Sequence, residues 1–515
     1  MKKKLVALTL VAAMALTATG CGDSSNQASN AGGSTSTTEA GAEKEYTTVK
    51  VSTVTFNNLS SETESVENAI NTYIRENTDV PVQIDLDFYD AASYQQQYQM
   101  QIGAGEEMDL FWVLGLGDCI SKGYVQPITD KVLELCPDAV AEIGEENLAP
   151  ATYDGEVYAV PVNRGYACHY YFIYRKDMLD AVGVEKEDIK TPEDVENVLL
   201  KVKEKYPDMI PLAPLNMNAY YLDAMFTGAN GAQVDFLGSG AGFNSAMGCI
   251  IGDDFTVQNY YATDVFKETV ETAYRWRQEG LLTQDTSVSP DSAPDLLSAG
   301  RAFATWGGYA NSAESIAKRF SLYGYEMDAV EISTPYIVTT SNAVMWGLAS
   351  SSKHPDEALQ ALNLLLTDDT IINYVMYGLE GRDYVLSDDK VASFPDGVDI
   401  STVPYTLCST SGLLNEIRQY TFEGDLASDK EYFVECNNNS AKSPAFGFNF
   451  RSDETLSEET ACTNVINKYY NMLSNVEADP ETTLPQFISE LKSAGIDKII
   501  EVKQRDLDAW VAENK

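Results

Sequence analysis

Strand-like and helix-like patterns alternate regularly along residues 46–115 of this 515-residue chain. The stretch VPVQIDLDF places an apolar side chain at every second position, which predicts a strand with one buried face. VKVSTVTF before it and MDLFWVL after it predict two more strands. The two segments between these strands, one opening at Ser61 and one reading YQQQYQMQI, carry apolar residues at helical spacing. The order strand–helix–strand–helix–strand predicts a doubly wound α/β lobe.

One edge of such a lobe is suited to ligands. In open α/β sheets, ligands bind beyond the carboxyl ends of the strands. These ends are predicted at residues 56–58, 89–90 and 115–118. Asp118 is therefore a candidate ligand contact, and Asn342, which lies in a later polar loop, is another. At about 150 residues per domain, the chain is long enough for two or three domains.

The N-terminus has the layout of an export signal. Three lysines precede an apolar run, and the small residues Ala18, Thr19 and Gly20 follow it. The apolar run is shorter than the ~20 residues that are needed to span a bilayer. We therefore predict that residues 1–20 are a signal peptide.

Cys21 follows the small residues directly, and this arrangement resembles the lipobox of bacterial lipoproteins. In such proteins the cysteine receives a lipid and becomes the new N-terminus. Ala18 stands here where a leucine is usual, three positions before the cysteine. The alternative is an ordinary signal peptide followed by an incidental cysteine. Residues 21–45 are rich in Ser, Thr, Gly and Ala and have no aromatic side chain, so we predict a lipidated, flexible tether.

The net charge of the chain is −43, from 35 basic and 78 acidic residues. A surface of this sign repels phosphate backbones and anionic lipids. Nucleic acid is therefore excluded as a partner. The charge does not specify a ligand, because solvated acidic residues also serve to keep an exported protein soluble.

Motifs for catalysis and for metal binding are missing from the sequence. The seven cysteines after Cys21 form no C-x₂-C pair, so zinc-finger and redox motifs are excluded, and we expect most of them to be small buried hydrophobes. Gly240 stands where a G-x-S-x-G motif needs its serine, and no P-loop or H-E-x-x-H motif occurs. A pair of catalytic carboxylates stays open as an alternative, because such a pair is defined by spatial distance. We expect no catalytic residues, no cofactor and no metal.

Several segments in order resemble the extracellular solute-binding proteins of ABC importers, in the carbohydrate-type group. The segments GAGEEMDLFWV, GYVQPITD, DGEVYAVPV and FIYRKDMLDAVGV resemble successive motifs of the first half of that family. SAGRAFATW and SKHPDEALQALNLLLTD resemble later motifs, and GLEGRDY and SAGIDKIIEVKQRDLDAW resemble a lipoprotein subset. Each motif is weak alone, but their order behind a lipobox is specific. The resemblance runs from about residue 46 to the C-terminus.

The resemblance implies two doubly wound α/β lobes joined by a hinge, which is the type II periplasmic-binding-protein-like fold. The ligand binds in the cleft between the lobes, which close around it and present it to an ABC permease. The first lobe is expected to comprise residues 46–165 and about 332–400. The second lobe is expected to comprise about 166–331 and about 401–515. We expect a monomer.

A sugar site combines flat apolar walls with a few placed polar groups. Trp306, with Tyr309 close behind it, is a candidate wall because it ends an apparent strand before two glycines. A core position is the alternative for Trp306, and Trp112 and Trp346 fit a core as well as a site. The first crossing between the lobes contributes three candidates, of which the last could equally form a structural ion pair: Tyr166, Asn163 and Arg164.

The sequence therefore predicts a binding protein that is lipid-anchored on the outer face of the bacterial cytoplasmic membrane. It is expected to capture a sugar or oligosaccharide and to deliver it to an ABC permease. A binding protein for peptides or other polar metabolites is one alternative. A surface glycan hydrolase and a structural lipoprotein without a small ligand are two others.

Overall fold

The computed structural model describes residues 45–57, 59–213, 233–238, 246–283, 292–339, 341, 343–408, 412–451, 453–474 and 476–515. The predicted signal peptide, Cys21 and the tether before Glu45 lie outside these residues, and so does Asn342. Glu45–Lys515 forms one compact unit.

A five-stranded sheet carries the first lobe and contains the predicted alternation. Its strands are β1 (Thr47–Thr55), β2 (Val82–Asp90), β3 (Leu110–Val113), β6 (Ala159–Pro161) and β15 (Met345–Leu348). Their order is β2-β1-β3-β15-β6. The first three strands are parallel, whereas β15 runs antiparallel to both of its neighbours. The helices that connect the parallel strands are α1 (Thr63–Asn77) and α2 (Tyr94–Ala104).

Apolar side chains cover both faces of this sheet. One face packs against α1 through Val66 and Ile70, and the other packs against α2 through Tyr94 and Tyr98. Buried apolar area contributes about 25 cal/mol per Å² to folding, so a sheet that is covered on both faces forms a stable lobe of its own.

A late segment of the chain also packs into this first core. Tyr405, Leu407 and Leu414 are buried there, and the Tyr405 hydroxyl donates a hydrogen bond to the carbonyl of Val375 (2.8 Å). The chain therefore stays with the first lobe beyond residue 400.

A four-stranded sheet carries the second lobe. Its strands are β7 (His169–Arg175), β8 (Ile210–Leu212), β12 (Ala302–Tyr309) and β13 (Met327–Glu331). Their order is β13-β7-β12-β8, with β7 antiparallel to β13 and β12. Trp276 and Trp306 are buried on one face of this sheet, and Phe320 is buried on the other.

The end of the chain forms a helical module on the second lobe. We call residues 445–515 the C-terminal module; its helices are α14 (Leu456–Ser474), α15 (Pro480–Ala494) and α16 (Ile496–Asn514). It packs on helix α8 (Asp264–Gln278) and on a small antiparallel sheet. The strands of this sheet are β9 (Val234–Asp235), β10 (Cys249–Ile251) and β11 (Asp254–Gln258). Because α8 also places Trp276 in the core of the second sheet, the module is fixed to the second lobe.

The chain crosses between the lobes in three stretches. Residues 162–168 join β6 to β7, and residues 332–344 join β13 to β15. The third crossing leads from β18 (Thr421–Phe422) to α13 (Asp429–Asn439). Short strands tie the crossings together, because β14 (Tyr336–Ile337) pairs with β19 (Ala441–Lys442).

The remaining elements complete the two lobes. The helices among them are α3 (Leu116–Ser121), α4 (Thr129–Leu135), α5 (Pro137–Ile143), α6 (Lys176–Val182), α7 (Pro192–Lys205), α9 (Ala293–Ser298), α10 (Ala313–Ser321), α11 (Pro355–Thr367) and α12 (Asp369–Tyr377). The strands are β4 (Thr152–Tyr153), β5 (Glu156–Val157), β16 (Val385–Leu386) and β17 (Val391–Ser393). In the part of the chain that the structure describes, no helix has the length and apolarity needed to cross a membrane.

The seven cysteines after Cys21 are all described, and all are free thiols. Cys119, Cys136, Cys249 and Cys462 are buried, as expected for small hydrophobic side chains. Burial raises the pKa of the Cys136 and Cys249 thiols to about 12. These thiols therefore stay protonated at neutral pH.

Candidate functional site

The ligand edge of the first sheet begins where β1 ends. Phe56 and Leu59 follow that end, and each is 59 % exposed. Asn57 is fixed to the first lobe, because its side-chain amide donates to the carbonyl of Thr406 (2.7 Å). Phe56 and Leu59 thus present two large apolar side chains to solvent at the edge where α/β sheets bind ligands.

The first crossing is hydrogen-bonded from both sides. From the side of the first lobe, the backbone N–H of Glu416 donates to the carbonyl of Asn163 (2.9 Å), and the N–H of Gly165 donates to the Glu416 carboxylate (3.2 Å). From α13, the Asn437 amide donates to the carbonyl of Arg164 and accepts from the N–H of Tyr166 (2.7 Å each). The two attachments meet at Gly165.

Gly165 is needed at this point because no side chain fits there. A Cβ on it would lie 2.5 Å from the Cβ of Ala310 and 3.0 Å from a ring carbon of Phe433. Both neighbours belong to elements of the second lobe, so the crossing lies tightly against that lobe. Any larger residue would force the crossing away from it.

Arg164 and Glu416 form the charged part of the crossing. Burial raises the pKa of the Glu416 carboxyl, and the positive charge of Arg164 acts in the opposite direction. Arg164 also lies against Gly412, where a Cβ would come within 3.0 Å of its Nε atom. The position of Arg164 is compatible both with a structural charge at the hinge and with a ligand contact.

A cluster of aromatic hydroxyls and one histidine lies at the neighbouring edge of the second sheet. The Nδ1 atom of His169 is 2.9 Å from a carboxylate oxygen of Glu331 and 3.4 Å from the hydroxyl of Tyr432. The Tyr171 hydroxyl donates to the carbonyl of Asn311 (2.9 Å). Burial raises the pKa of Tyr171 and of Tyr432, so both hydroxyls stay protonated at neutral pH.

Residues 59–371 of the 515 match the family model of bacterial extracellular solute-binding proteins. The chain belongs to this family. Its two-lobed α/β architecture is the type II fold of solute-binding proteins, as the sequence predicted. Residues 444–512 match a second family, described as a domain of unknown function (DUF3502).

Several solute-binding proteins resemble most of the chain. A carbohydrate ABC transporter substrate-binding protein of Streptococcus pneumoniae is 23 % identical over 85 % of this chain and 86 % of its own length. The crystal structure of the N-glycan transport solute-binding protein NgtS from the same species has a TM-score of 0.75 at 20 % identity, covering 91 % of this chain and all of its own. The complex of NgtS with Man5GlcNAc has a TM-score of 0.68 at 20 % identity, covering 91 % of this chain and 99 % of its own. These structural likenesses establish the shared fold.

In this solute-binding protein, Trp306 and Tyr309 do not form one wall. They are three residues apart in β12, and alternate residues of a strand face opposite sides. The Trp306 ring is 3 % exposed and lies 5.7 Å from the ring of Trp276 in one core. The half-buried Tyr309 ring packs against Phe320 on the other face, at 6.2 Å. Packing explains both rings, and a ligand contact by either one stays a prediction.

Trp112 and Trp346 are paired across β3 and β15. Trp346 is 1 % exposed, and its indole N–H donates to the carbonyl of Leu413 (2.9 Å), so its contacts are those of a core residue. Trp112 is half-buried and packs against the cores on both sides of the sheet. Of this pair, only Trp112 has surface to offer to a ligand.

The other candidates divide between the crossing and the surface. Asn163, Arg164 and Tyr166 are brought together in the first crossing, where Tyr166 is 8 % exposed. Asp118 is exposed at the carboxyl end of β3 and pairs with Lys122 at 3.4 Å. Among the described residues, no group of three or more His, Cys, Asp or Glu could hold a metal ion.

Two residues that organise the crossing were not predicted from the sequence. Glu416 lies 251 residues from Gly165, and Asn437 lies 271 residues from Tyr166. Asn437 occurs in the run CNNNS, which carries no periodic signal. Local sequence patterns cannot reveal such pairs, because the partners meet only in the tertiary structure.

The packing of Trp306 predicts that its substitution affects stability. Trp306→Ala leaves a cavity beside Trp276, so we expect the free energy of unfolding to fall by about 3–5 kcal/mol in urea denaturation. Trp510→Ala, at a half-buried ring of α16, is the control and should cost less. A loss below about 1 kcal/mol for Trp306→Ala would contradict the core assignment.

Proposed function

We propose that this protein captures an oligosaccharide between its lobes outside the cytoplasmic membrane and delivers it to an ABC transporter permease. The observation that carries the proposal is the alignment with a carbohydrate ABC transporter substrate-binding protein over 85 % of this chain and 86 % of that protein. An alignment of that extent is too long to be confined to one lobe. The structures of NgtS with Man5GlcNAc and Man1GlcNAc favour glycans as the ligand class.

The exposed edge of the first sheet fits this ligand class. Sugar rings have apolar faces of C–H groups, which pack on aromatic and aliphatic surfaces, and hydroxyls, which need hydrogen-bond partners. Phe56 and Leu59 supply apolar surface at this edge. We place the ligand between this edge and the edge of the second sheet that begins at the first crossing.

We further propose that the protein releases its ligand unchanged. The family and the aligned relative are binding proteins. A ligand that contacts both lobes only when they are closed drives closure by its binding energy alone. No covalent step is needed for capture or delivery.

A ligand screen tests the proposed function. Because a ligand that binds only the folded state adds about 2.7 kcal/mol of stability at one hundred times its Kd, it raises the melting temperature. We expect Man5GlcNAc or a related oligosaccharide to produce such a shift and to be recovered intact by mass spectrometry. If peptides raise the melting temperature and sugars do not, the result would support the peptide-binding alternative instead. Appearance of shortened glycans would support the hydrolase.

The position of Phe56 gives a second prediction. Phe56→Ala should weaken oligosaccharide binding about tenfold, since an aromatic side chain that becomes buried contributes about 1.5–3 kcal/mol. Isothermal titration measures the change. Met100→Ala is the matched control, because Met100 is equally exposed at 59 % but lies on α2, away from the carboxyl end of β1. Equal affinity of the two variants would remove Phe56 from the site.

The proposed location rests on Cys21 and the tether that follows it. We propose that a lipid on Cys21 holds the protein at the outer face of the membrane, where a permease lies within reach. Cys21→Ser should release the protein into the medium of a Gram-positive host, as measured by immunoblotting of the cell and medium fractions. Retention of this variant in the membrane fraction would show that the anchor lies elsewhere.

A further inference from the structure

The C-terminal module begins with a segment of alternating character. Residues 446–451 read FGFNFR, so an aromatic ring occurs at every second position. Phe448 and Phe450 are buried, at 3 % and 7 % exposure. We call Gly447–Arg451 the bridge segment, because the residues between its rings face the first lobe.

The inner side of the bridge segment is fixed to the second lobe. Phe448 and Phe450 pack with Val502 and Leu507 of α16 in one buried cluster. The Lys503 ammonium group lies 4.7 Å from the centre of the Phe450 ring, and the Lys503 side chain has no exposed surface. A buried cation against an aromatic face holds the ring in place more firmly than an exposed one would.

The outer side of the bridge segment is bonded to the first lobe. The Asn449 amide donates to the carbonyls of Ala149 (3.3 Å) and Thr152 (3.1 Å). Arg451 pairs with Asp154 at 2.9 Å. The partners belong to the first lobe, because their neighbours Ala151 and Tyr153 pack into the core beside β3.

A groove lies beside these bonds, between the first lobe and the C-terminal module. A groove of about 1160 Å³ runs along the bridge segment, between first-lobe residues such as Leu133 and Glu145 and module residues such as Trp510. The two walls therefore do not pack against each other along the groove. Beside the groove, the polar bonds of Asn449 and Arg451 join the module to the first lobe.

The module is connected to the second crossing through β9, on which it packs. Asp235 of β9 accepts hydrogen bonds from the N–H (3.0 Å) and the hydroxyl (2.7 Å) of Thr339. The negative charge of Asp235 acts on Lys503. The Lys503 ammonium group is 3.3 Å from the carbonyl oxygen of Phe236. One buried network thus joins α16, the bridge segment and a strand that is bonded to the crossing.

We propose that the C-terminal module latches the two lobes together through the bridge segment and thereby sets the equilibrium between their arrangements. This gives a function to the region that matches a domain of unknown function. Two neutral hydrogen bonds make the latch strong enough to shift a two-state equilibrium roughly tenfold and weak enough to break. Because the latch sets the equilibrium between the arrangements of the lobes, it also affects ligand affinity, and this effect rests on the proposed function. Its effect on the ligand-free protein does not.

Asn449→Ala tests the latch, because it removes both bonds and leaves the buried rings in place. We expect small-angle X-ray scattering of the ligand-free protein to give a changed radius of gyration, and amide exchange in residues 149–157 to become about tenfold faster. Asn514→Ala is the matched control, because its amide donates to the carbonyl of Trp510 within α16 (2.9 Å). This control should match the wild type in both measurements.

The outcomes separate a latch from a local contact. Wild-type scattering and exchange in Asn449→Ala would overturn the proposal, and so would faster exchange with unchanged scattering. If Asn449→Ala does not fold, Asp154→Asn removes the charge opposite Arg451 from a side chain that is 83 % exposed, and it should shift the scattering in the same direction by less. Absence of any sugar ligand would overturn the proposed function and leave these measurements fully interpretable.

Discussion

The arrangement of the two lobes depends on a short crossing whose backbone groups are hydrogen-bonded to residues on both sides. Glu416, from the side of the first lobe, bonds to Asn163 and Gly165, and Asn437 on α13 bonds to Arg164 and Tyr166. Since the two sets of bonds meet at Gly165, the backbone freedom between the lobes is restricted to a few peptide units. The side chains that surround Gly165 leave no room for a Cβ, so rotation at this point requires the crossing to leave its contact with Phe433.

The fold was predictable where local periodicity carries the information. VPVQIDLDF became β2 with Val82, Ile84 and Leu86 buried, and YQQQYQMQI became α2 with Tyr94, Tyr98 and Ile102 buried. The return of Tyr405 and Leu414 to the first core was beyond local reasoning, because a buried side chain does not specify which of two cores it joins. The alternation in FGFNFR was equally visible in the sequence, but its meaning required a partner on each side.

The site was less predictable than the fold for a geometric reason. The expected position of Trp306 at a strand end was wrong, because β12 continues through the two glycines to Tyr309 and Trp306 is buried inside the strand. A strand also has two faces, and the sequence does not state which of them meets the ligand. Asn163, Arg164 and Tyr166 were located because they follow a recognisable hairpin. Their partners Glu416 and Asn437 were not, because chain segments more than 250 residues apart share no local pattern.

The buried cysteines have a consequence for how such a protein matures. A thiol reacts as its thiolate, and burial suppresses that form at Cys136 and Cys249. The lobes hold together without a disulfide among the seven described cysteines. An extracellular solute-binding protein with this construction reaches its folded state without an oxidase or a disulfide isomerase. As far as these seven cysteines are concerned, its fold then contains no bond that a change in the redox potential of the surroundings would break.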